Sequence, residues 1–314
     1  MKQVRDSRKS VILIPYADLE QKQSGVNIGK KLDRRKVYLQ NVCVALISAK
    51  VYNPNTDVAL VTNIELPVEY QKLLQSKDVL IFKEEYDRFV FPNDYTWSLA
   101  FYKLCALSKV LEKGQYDYYA YLDSDVYVQE SFDTIWQECE KNILLYDINH
   151  GLGTKDYIEI EKEFQRFSPD RGRLITHFGG EFFASNKANA VAFLNECIEI
   201  YQEMQSRNFC TTKGDEFIVS LAADKLKVQV KNAGAYIYRF WTRAFYLVST
   251  CYQYNPITVL HVPDEKSRGM LKIYAKYIKR GKIPNRGTVW KILHLHKQPL
   301  SIKILMRIKR LLKK

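Results

Sequence analysis

Two carboxylates of this chain stand in a pattern that can bind a metal ion. Asp123 and Asp125 lie one residue apart, directly after an apolar and aromatic run, residues 118–122, that is typical of a buried strand. Two like charges at that position cost desolvation and repulsion energy unless a cation is shared between them. Carboxylate oxygens suit Mg²⁺ or Mn²⁺, which also take water and phosphate oxygens as ligands. The pair therefore predicts a divalent metal site and a substrate that carries phosphates.

The Asp-x-Asp spacing is weak evidence by itself. The chain contains seventeen Asp, so about one such pair is expected by chance. The position after a buried strand is more informative, because open α/β sheets bind ligands just beyond the carboxyl ends of their strands. The alternative is a solvated turn that follows the strand.

The elements that position this pair alternate between strand and helix over the first 130 residues. This order favours an α/β fold with a mostly parallel sheet flanked by helices. Apolar runs predict strands at 11–16, 58–62, 79–82 and 118–122, and helical spacing predicts helices at 37–50, 67–74 and 98–111. The polar segment 147–176 is predicted to be an insertion near the site and outside the core.

Two further segments carry residues that can do chemistry. Gly179 and Gly180 interrupt a predicted strand at 177–184, and such glycines mark either close backbone approach by a ligand or a β-bulge. Asp215 and Glu216 follow Gly214 at the predicted start of a helix, where one acid can simply cap the helix. Alternatively, the two carboxylates flank a reacting sugar carbon, where they stabilise an oxocarbenium-like transition state or attack it. The spacing alone favours neither interpretation.

A late strand, residues 257–262, carries a histidine near its end. His261 either completes the metal site or has a structural role in the core. Lys266 follows shortly after, and either holds the phosphates of a leaving group or belongs to a solvated basic loop.

The composition limits the class of protein. With 314 residues, 46% of them hydrophobic, the chain can bury a large core as one domain or as a domain with an appendage. The six cysteines are scattered and show no metal-ligand or redox spacing, which favours reduced thiols in a cytosolic protein. The first residues show no signal-peptide pattern, and no apolar run reaches the length of a membrane span. We therefore expect a soluble or peripheral protein.

The net charge of +13 is concentrated in the last fifty residues. Residues 264–314 contain sixteen Lys or Arg and two acids, a net charge of +14, so the remaining residues sum to −1. A nucleic-acid enzyme usually carries its positive charge around its site, so no nucleic-acid partner is expected.

Residues 301–314 have the pattern of an amphipathic helix that lies on an anionic membrane. The alternative is a disordered basic tail or a helix docked on the body of the protein. The apolar face comprises Ile304, Leu305, Ile308, Leu311 and Leu312, and the basic face comprises Lys303, Arg307, Arg310 and Lys314.

The run 121–128, together with Ser131 and Trp136, resembles the metal-binding strand of nucleotide-sugar glycosyltransferases with the GT-A fold. The chain is most similar to glycosyltransferase family 8, the bacterial lipooligosaccharide galactosyltransferases and their relatives. The likeness covers about residues 10–268, and the basic C-terminal segment resembles the membrane-attachment tail of those enzymes. Two features depart from family 8. Lys266 comes one residue early after His261, and residues 178–181 and 215–216 look more like glycosyltransferase family 6.

This resemblance implies a role for each candidate residue. It implies that Asp123, Asp125 and His261 bind Mn²⁺ or Mg²⁺, and that Lys103 touches the donor sugar. It implies that Gly179, Gly180 and Glu181 line the sugar pocket, that Glu216 and Asp215 are catalytic, and that the nucleotide is bound by Pro15, Tyr16, Ala17, Asp18, Ser124 and Lys266. Both families retain anomeric configuration, so retention is also implied.

The expected function is metal-dependent transfer of galactose or glucose from its UDP conjugate to a lipid-linked glycan of a bacterial capsule or lipopolysaccharide. Residues 1–268 are predicted to form the GT-A catalytic domain, and residues 269–314 a basic helical segment that attaches the protein to the inner, cytoplasmic face of the cell membrane. One alternative is a basic adaptor without enzymatic activity on a membrane or nucleic acid. Another is a metal-dependent nucleotidyltransferase, although no glycine-rich phosphate loop follows the first strand.

Overall fold

The structure is a computed structural model. It describes residues 9–19, 28, 32–92, 95–149, 154–169, 176–226, 230–242 and 257–295, together with positions 304, 305, 307, 308, 311 and 312.

The described residues form ten strands and nine helices. The strands are β1 (Ser10–Tyr16), β2 (Asp57–Thr62), β3 (Leu80–Lys83), β4 (Tyr118–Leu122), β5 (Val126–Val128), β6 (Ile143–Asp147), β7 (Phe178–Asn186), β8 (Val230–Asn232), β9 (Ile237–Arg239) and β10 (Val259–His261). The helices are α1 (Arg34–Tyr52), α2 (Val68–Gln75), α3 (Tyr102–Glu112), α4 (Asp133–Cys139), α5 (Lys155–Phe167), α6 (Lys187–Ser206), α7 (Asp215–Lys225), α8 (Gly269–Arg280) and α9 (Arg286–Ile292).

Within the described residues, seven strands form a central sheet in the order β3-β2-β1-β4-β7-β6-β8. All neighbouring pairs are parallel except those of β7, which runs antiparallel to both β4 and β6. A smaller sheet has the order β5-β10-β9. The mostly parallel sheet flanked by helices confirms the predicted Rossmann-like α/β architecture.

Both faces of the central sheet are buried under helices. Successive side chains of a strand point to opposite faces, so each strand contributes to the core on both sides of the sheet. In β4, Tyr119 and Tyr121 join the core on one face, which also contains residues of α3, α5, α6 and α7. Tyr118, Ala120 and Leu122 join the core on the other face, together with residues of α1, α2 and α4. This burial explains why the strand is apolar throughout and shows no alternation of polar residues.

The order of the strands creates a crevice at one edge of the sheet. From β1 the chain moves outwards through β2 and β3, and then returns to place β4 on the other side of β1. Ligands of open α/β sheets bind where the strand order reverses in this way, beyond the carboxyl ends of the strands. The ends of β1 and β4 meet at this edge, and the antiparallel β7 contributes its start there, with Phe182 paired to Leu122.

The prediction that segment 147–176 lies outside the core is wrong for its described helix. In α5, Thr154 caps the first turn, and Ile160, Phe164 and Phe167 pack into the core beside α7. The segment is polar along the sequence because the opposite face of this strongly amphipathic helix is charged.

Residues 269–295 pack against the body of the protein. Met270, Ile273, Val289 and Leu293 form a third apolar cluster with Val44 of α1 and with the smaller sheet. Among the described residues, no helix has the length and apolar character that crossing a bilayer requires.

Candidate active site

A cavity of about 660 Å³ opens at the edge where the ends of β1 and β4 meet. This volume lies within the usual range for small-molecule sites. The walls of the cavity contain most of the predicted site residues: Pro15, Tyr16, Ala17, Asp18, Lys103, Asp123, Ser124, Asp125, Gly180, Glu181, Asp215, Glu216, His261 and Lys266. Gly179 lies next to this wall in β7.

Strand pairing brings the three predicted metal ligands together. The backbone N–H of Asp123 donates to the carbonyl of Glu181 (3.1 Å), which fixes the end of β4 against β7. After Asp125 the chain enters β5, which pairs antiparallel with β10 so that His261 lies opposite Val126. The pairing of β10 with β5 therefore places the histidine beside the carboxylates, although it is distant from them in the sequence.

Ligand atoms of Asp123, Asp125 and His261 lie within 4.8 Å of one another. His261 Nε2 is 3.4 Å from Asp125 Oδ2 and 3.7 Å from Asp123 Oδ2. Asp125 Oδ2 is buried and accepts no hydrogen bond of good geometry, although Lys266 Nζ lies 3.2 Å away. The two carboxylates and the imidazole form a suitable donor set for a divalent cation, and Asp125 Oδ2 has lone pairs free for ligation. This cluster therefore could bind a metal ion, as predicted.

The charges of the cluster are balanced by neighbouring side chains. Burial raises the pKa of Asp125, but Lys266 and His261 outweigh it and hold that pKa well below its usual range. Burial lowers the pKa of His261, but Asp125 and Glu181 outweigh it and raise the pKa to about 9. Burial also lowers the pKa of Lys266, but the charge of Asp125 outweighs this effect and raises that pKa.

Lys103 connects the metal cluster with the acidic pair on α7. Its Nζ lies 2.9 Å from Asp123 Oδ1 and 2.9 Å from Asp215 Oδ2. Burial raises the pKa of Asp215 to about 6, with a further contribution from the charge of Asp123, while Lys103 opposes this rise. Asp215 is therefore a buried carboxylate that directly neighbours the metal cluster.

Glu216, the second acid of the pair, has both carboxylate oxygens occupied. Its Oε1 accepts from Arg239 Nη2 (2.9 Å), and its Oε2 lies 2.9 Å from His177 Nε2. Burial raises the pKa of Glu216, but Arg239 and His177 outweigh it and lower the pKa. Glu216 is thus held as an anion in a fixed orientation.

Arg239 was not predicted from the sequence. It ends β9, which pairs with β10 so that Arg239 lies beside His261. Besides Glu216 it binds Glu181 through two hydrogen bonds, from Nε to Oε1 and from Nη2 to Oε2, each 2.6 Å long. No local motif marks this arginine, and only the pairing of β9 with β10 could have indicated it.

The two glycines of β7 make room for carboxylates of the protein. A Cβ at Gly180 would lie 2.0 Å from Asp215 Oδ2, and a Cβ at Gly179 would lie 1.9 Å from Glu181 Oε2. The atoms that closely approach the backbone at both positions belong to Asp215 and Glu181. The pairing of β7 with β6 also shifts register between Phe183 and Gly179, which supports the β-bulge interpretation of the glycines.

Aromatic side chains line the end of the cavity next to β1. The rings of Tyr16 and Tyr38 lie 6.0 Å apart, and Lys266 Nζ lies 5.6 Å from the centre of the Tyr38 ring. Asp18 and Asn63 exchange two hydrogen bonds, from Asp18 N to Asn63 Oδ1 (3.0 Å) and from Asn63 Nδ2 to Asp18 O (2.9 Å), which fix the loop after β1. Tyr38 was missed, because a tyrosine inside a helical pattern is indistinguishable from a core residue.

The opposite wall of the cavity was also missed. Trp97 and Trp241 contribute to it, together with Tyr157 of α5 and Lys213. Lys213 ties α5 to the loop before α7 by pairing with Glu159 (3.0 Å) and Asp156 (3.3 Å). This wall is composed of aromatic and polar side chains next to the acidic pair.

The fold and the site define an α/β protein that has a Rossmann-like sheet and a candidate Asp-Asp-His metal cluster at its carboxyl edge. No protein-family model matches the sequence. A search of curated proteins also found no significant match.

Proposed function

We propose that this protein is a metal-dependent glycosyltransferase with the GT-A fold, which moves galactose or glucose from its UDP conjugate to a hydroxyl group and retains the anomeric configuration. One observation carries the proposal. The Asp123, Asp125 and His261 cluster shares a single cavity with the carboxylates of Asp215 and Glu216. Such a cavity can bind a diphosphate through a cation at one end and place acids beside the sugar at the other.

The leaving group is bound by residues near β1 and β10. Asp123, Asp125 and His261 would hold Mn²⁺ or Mg²⁺, which as a Lewis acid stabilises negative charge on the departing nucleoside diphosphate. Lys266 is a cation beside Asp125, with 13% of its side chain exposed, and would form charge-assisted hydrogen bonds to phosphate oxygens. The loop after β1 and Ser124 bind the nucleotide, with the Tyr16 and Tyr38 rings available to the base.

The transferred sugar lies in the part of the cavity that Lys103 and the acidic pair line. Asp215 is positioned to stabilise positive charge at the anomeric carbon, while Lys103 and Gly180 line its side of the cavity. Glu216, fixed by Arg239 and His177, contributes negative charge to the same region.

The acceptor is a lipid-linked glycan, and the tail attaches the protein to an anionic membrane on the cytoplasmic side. Support comes from the described tail positions, which are helical at Ile304, Leu305, Ile308 and Leu311. These apolar side chains are between 47% and 69% exposed, which is unusual for large apolar residues at helical spacing.

The proposal is tested by incubating the purified protein with a panel of nucleotide sugars, with Mn²⁺ or with EDTA, and measuring the released nucleoside diphosphate. We expect release of UDP from one hexose conjugate, and only with the metal. Release of pyrophosphate would instead identify a nucleotidyltransferase. If the protein shows no turnover and no metal-enhanced UDP binding, the proposal is contradicted and the adaptor is favoured.

Deletion of residues 301–314 should separate membrane attachment from chemistry. We expect metal-dependent UDP release in solution to stay within about twofold of the full chain, because none of the described tail positions lines the cavity. Binding to phosphatidylglycerol vesicles, measured by sedimentation, should be lost. Phosphatidylcholine vesicles are the control, and they should bind neither protein. Unchanged binding to the anionic vesicles would contradict the role of the tail.

A further inference from the structure

Glu181 is fully buried, and both of its carboxylate oxygens are occupied by protein partners. Oε1 accepts from Arg239 Nε (2.6 Å) and lies 3.1 Å from His261 Nδ1, and Oε2 accepts from Arg239 Nη2 (2.6 Å). The guanidinium of Arg239 is always charged, so the carboxylate of Glu181 forms an ion pair with it and faces the ring of His261.

The position of this acceptor decides which ring nitrogen of His261 is free. A carboxylate accepts a hydrogen bond only from a protonated nitrogen, so it holds the neutral ring in the form that carries its proton on Nδ1. The lone pair then lies on Nε2, the atom that faces Asp123 and Asp125. A carboxylate on the far nitrogen of a metal-bound histidine is a common arrangement, and it also makes the ligating nitrogen more basic.

Two other residues keep Glu181 in this orientation. The planar guanidinium of Arg239 donates a hydrogen bond to each oxygen, a geometry that lysine cannot reproduce. Gly179 leaves the space that the carboxylate occupies, since a Cβ there would lie 1.9 Å from Glu181 Oε2 and 2.9 Å from Arg239 Nη2.

We propose that Glu181 is a positioning residue of the metal site, which orients His261 for ligation through Nε2, and that Arg239 and Gly179 serve to hold it there. The inference rests on the metal site of the proposed function. It gives Gly179 and Glu181 a role that does not require contact with the sugar.

The test is the Mn²⁺ affinity of the purified full chain, measured by the paramagnetic resonance signal of free Mn²⁺. Glu181→Gln should weaken binding by about 10- to 100-fold, because the amide replaces one acceptor oxygen by an NH₂ group, which would face a donor of Arg239 or of His261. Gly179→Ala should weaken binding in the same direction by displacing the carboxylate. The matched control is Glu203→Gln, which also removes a carboxylate paired with an arginine, Arg207, but lies on α6 outside the cavity, and its Mn²⁺ affinity should stay within about threefold.

A spectroscopic measurement separates positioning from a general structural effect. In the metal-free protein, at a pH at which the ring is neutral, ¹⁵N spectra of labelled histidine should show the His261 ring protonated on Nδ1, and Glu181→Gln should shift the proton towards Nε2. The His261→Gln variant assigns the signal. If Glu181→Gln does not fold, the Mn²⁺ affinity and the ¹⁵N spectrum are measured on Gly179→Ala.

Unchanged Mn²⁺ affinity in folded Glu181→Gln and Gly179→Ala variants would overturn the inference. That result differs from a failure of the proposed metal site, in which the unmodified protein itself would bind no Mn²⁺.

Discussion

Replacement of Asp123 by alanine should lower metal-dependent release of UDP by roughly a thousandfold, because a metal acting as a Lewis acid contributes several kcal/mol to the transition state. The fold should remain intact. The Asp123 side chain is 29% exposed, and Lys103 keeps Asp215 as a partner at 2.9 Å. The measurements are kcat/KM with saturating Mn²⁺ and the near-ultraviolet circular dichroism spectrum.

Asp133→Ala is the control for this variant. It also removes one carboxylate, but from the exposed first turn of α4, outside the cavity. Its kcat/KM should stay within about twofold of the unmodified protein, as expected for surface substitutions. Full turnover in folded Asp123→Ala protein would disprove the metal assignment.

Replacement of Asp215 by asparagine should lower turnover by about 100- to 1,000-fold while Mn²⁺ and UDP affinities change only a few-fold. Asn keeps the shape of the side chain but removes the negative charge that would face the anomeric carbon. The metal cluster keeps its three ligands, and Lys103 keeps Asp123 as a partner. Single-turnover rates and equilibrium UDP binding measure the two effects separately.

The matched control is Asp224→Asn, which makes the same change at an exposed position near the other end of α7. Its turnover should stay within about twofold. Equal losses of turnover and of Mn²⁺ affinity in Asp215→Asn would show that Asp215 acts through the metal site, and would contradict a direct role at the sugar.

The parts of the fold that could be predicted are those with local signals. The buried strands that became β1, β2 and β4 are continuous apolar runs, and helix α1 shows helical spacing with an Asp33 cap. The Asp pair could be placed at the carboxyl edge because it directly follows such a run. His261 was marked by its position at the end of a late strand, and the structure confirms that it lies beside both aspartates.

The parts that could not be predicted depend on contacts between distant residues. Arg239 enters the site only because β9 pairs with β10, and a three-residue strand has no reliable local pattern. The buried face of α5 was hidden by the charged residues on its other face. The glycines of β7 indicated that something approaches the backbone, but only the structure shows that Glu181 and Asp215 do so.

The pairing of β5 with β10 also has a consequence for biosynthesis. A chain emerging from the ribosome presents every strand of the central sheet, the last of them Val230–Asn232, before Val259–His261 appears. Segments synthesised first generally begin to fold first. His261, and with it the third ligand of the candidate ion site, is therefore added to a scaffold whose strands have all been made. The candidate ion site is therefore complete only in a chain that has been translated past β10.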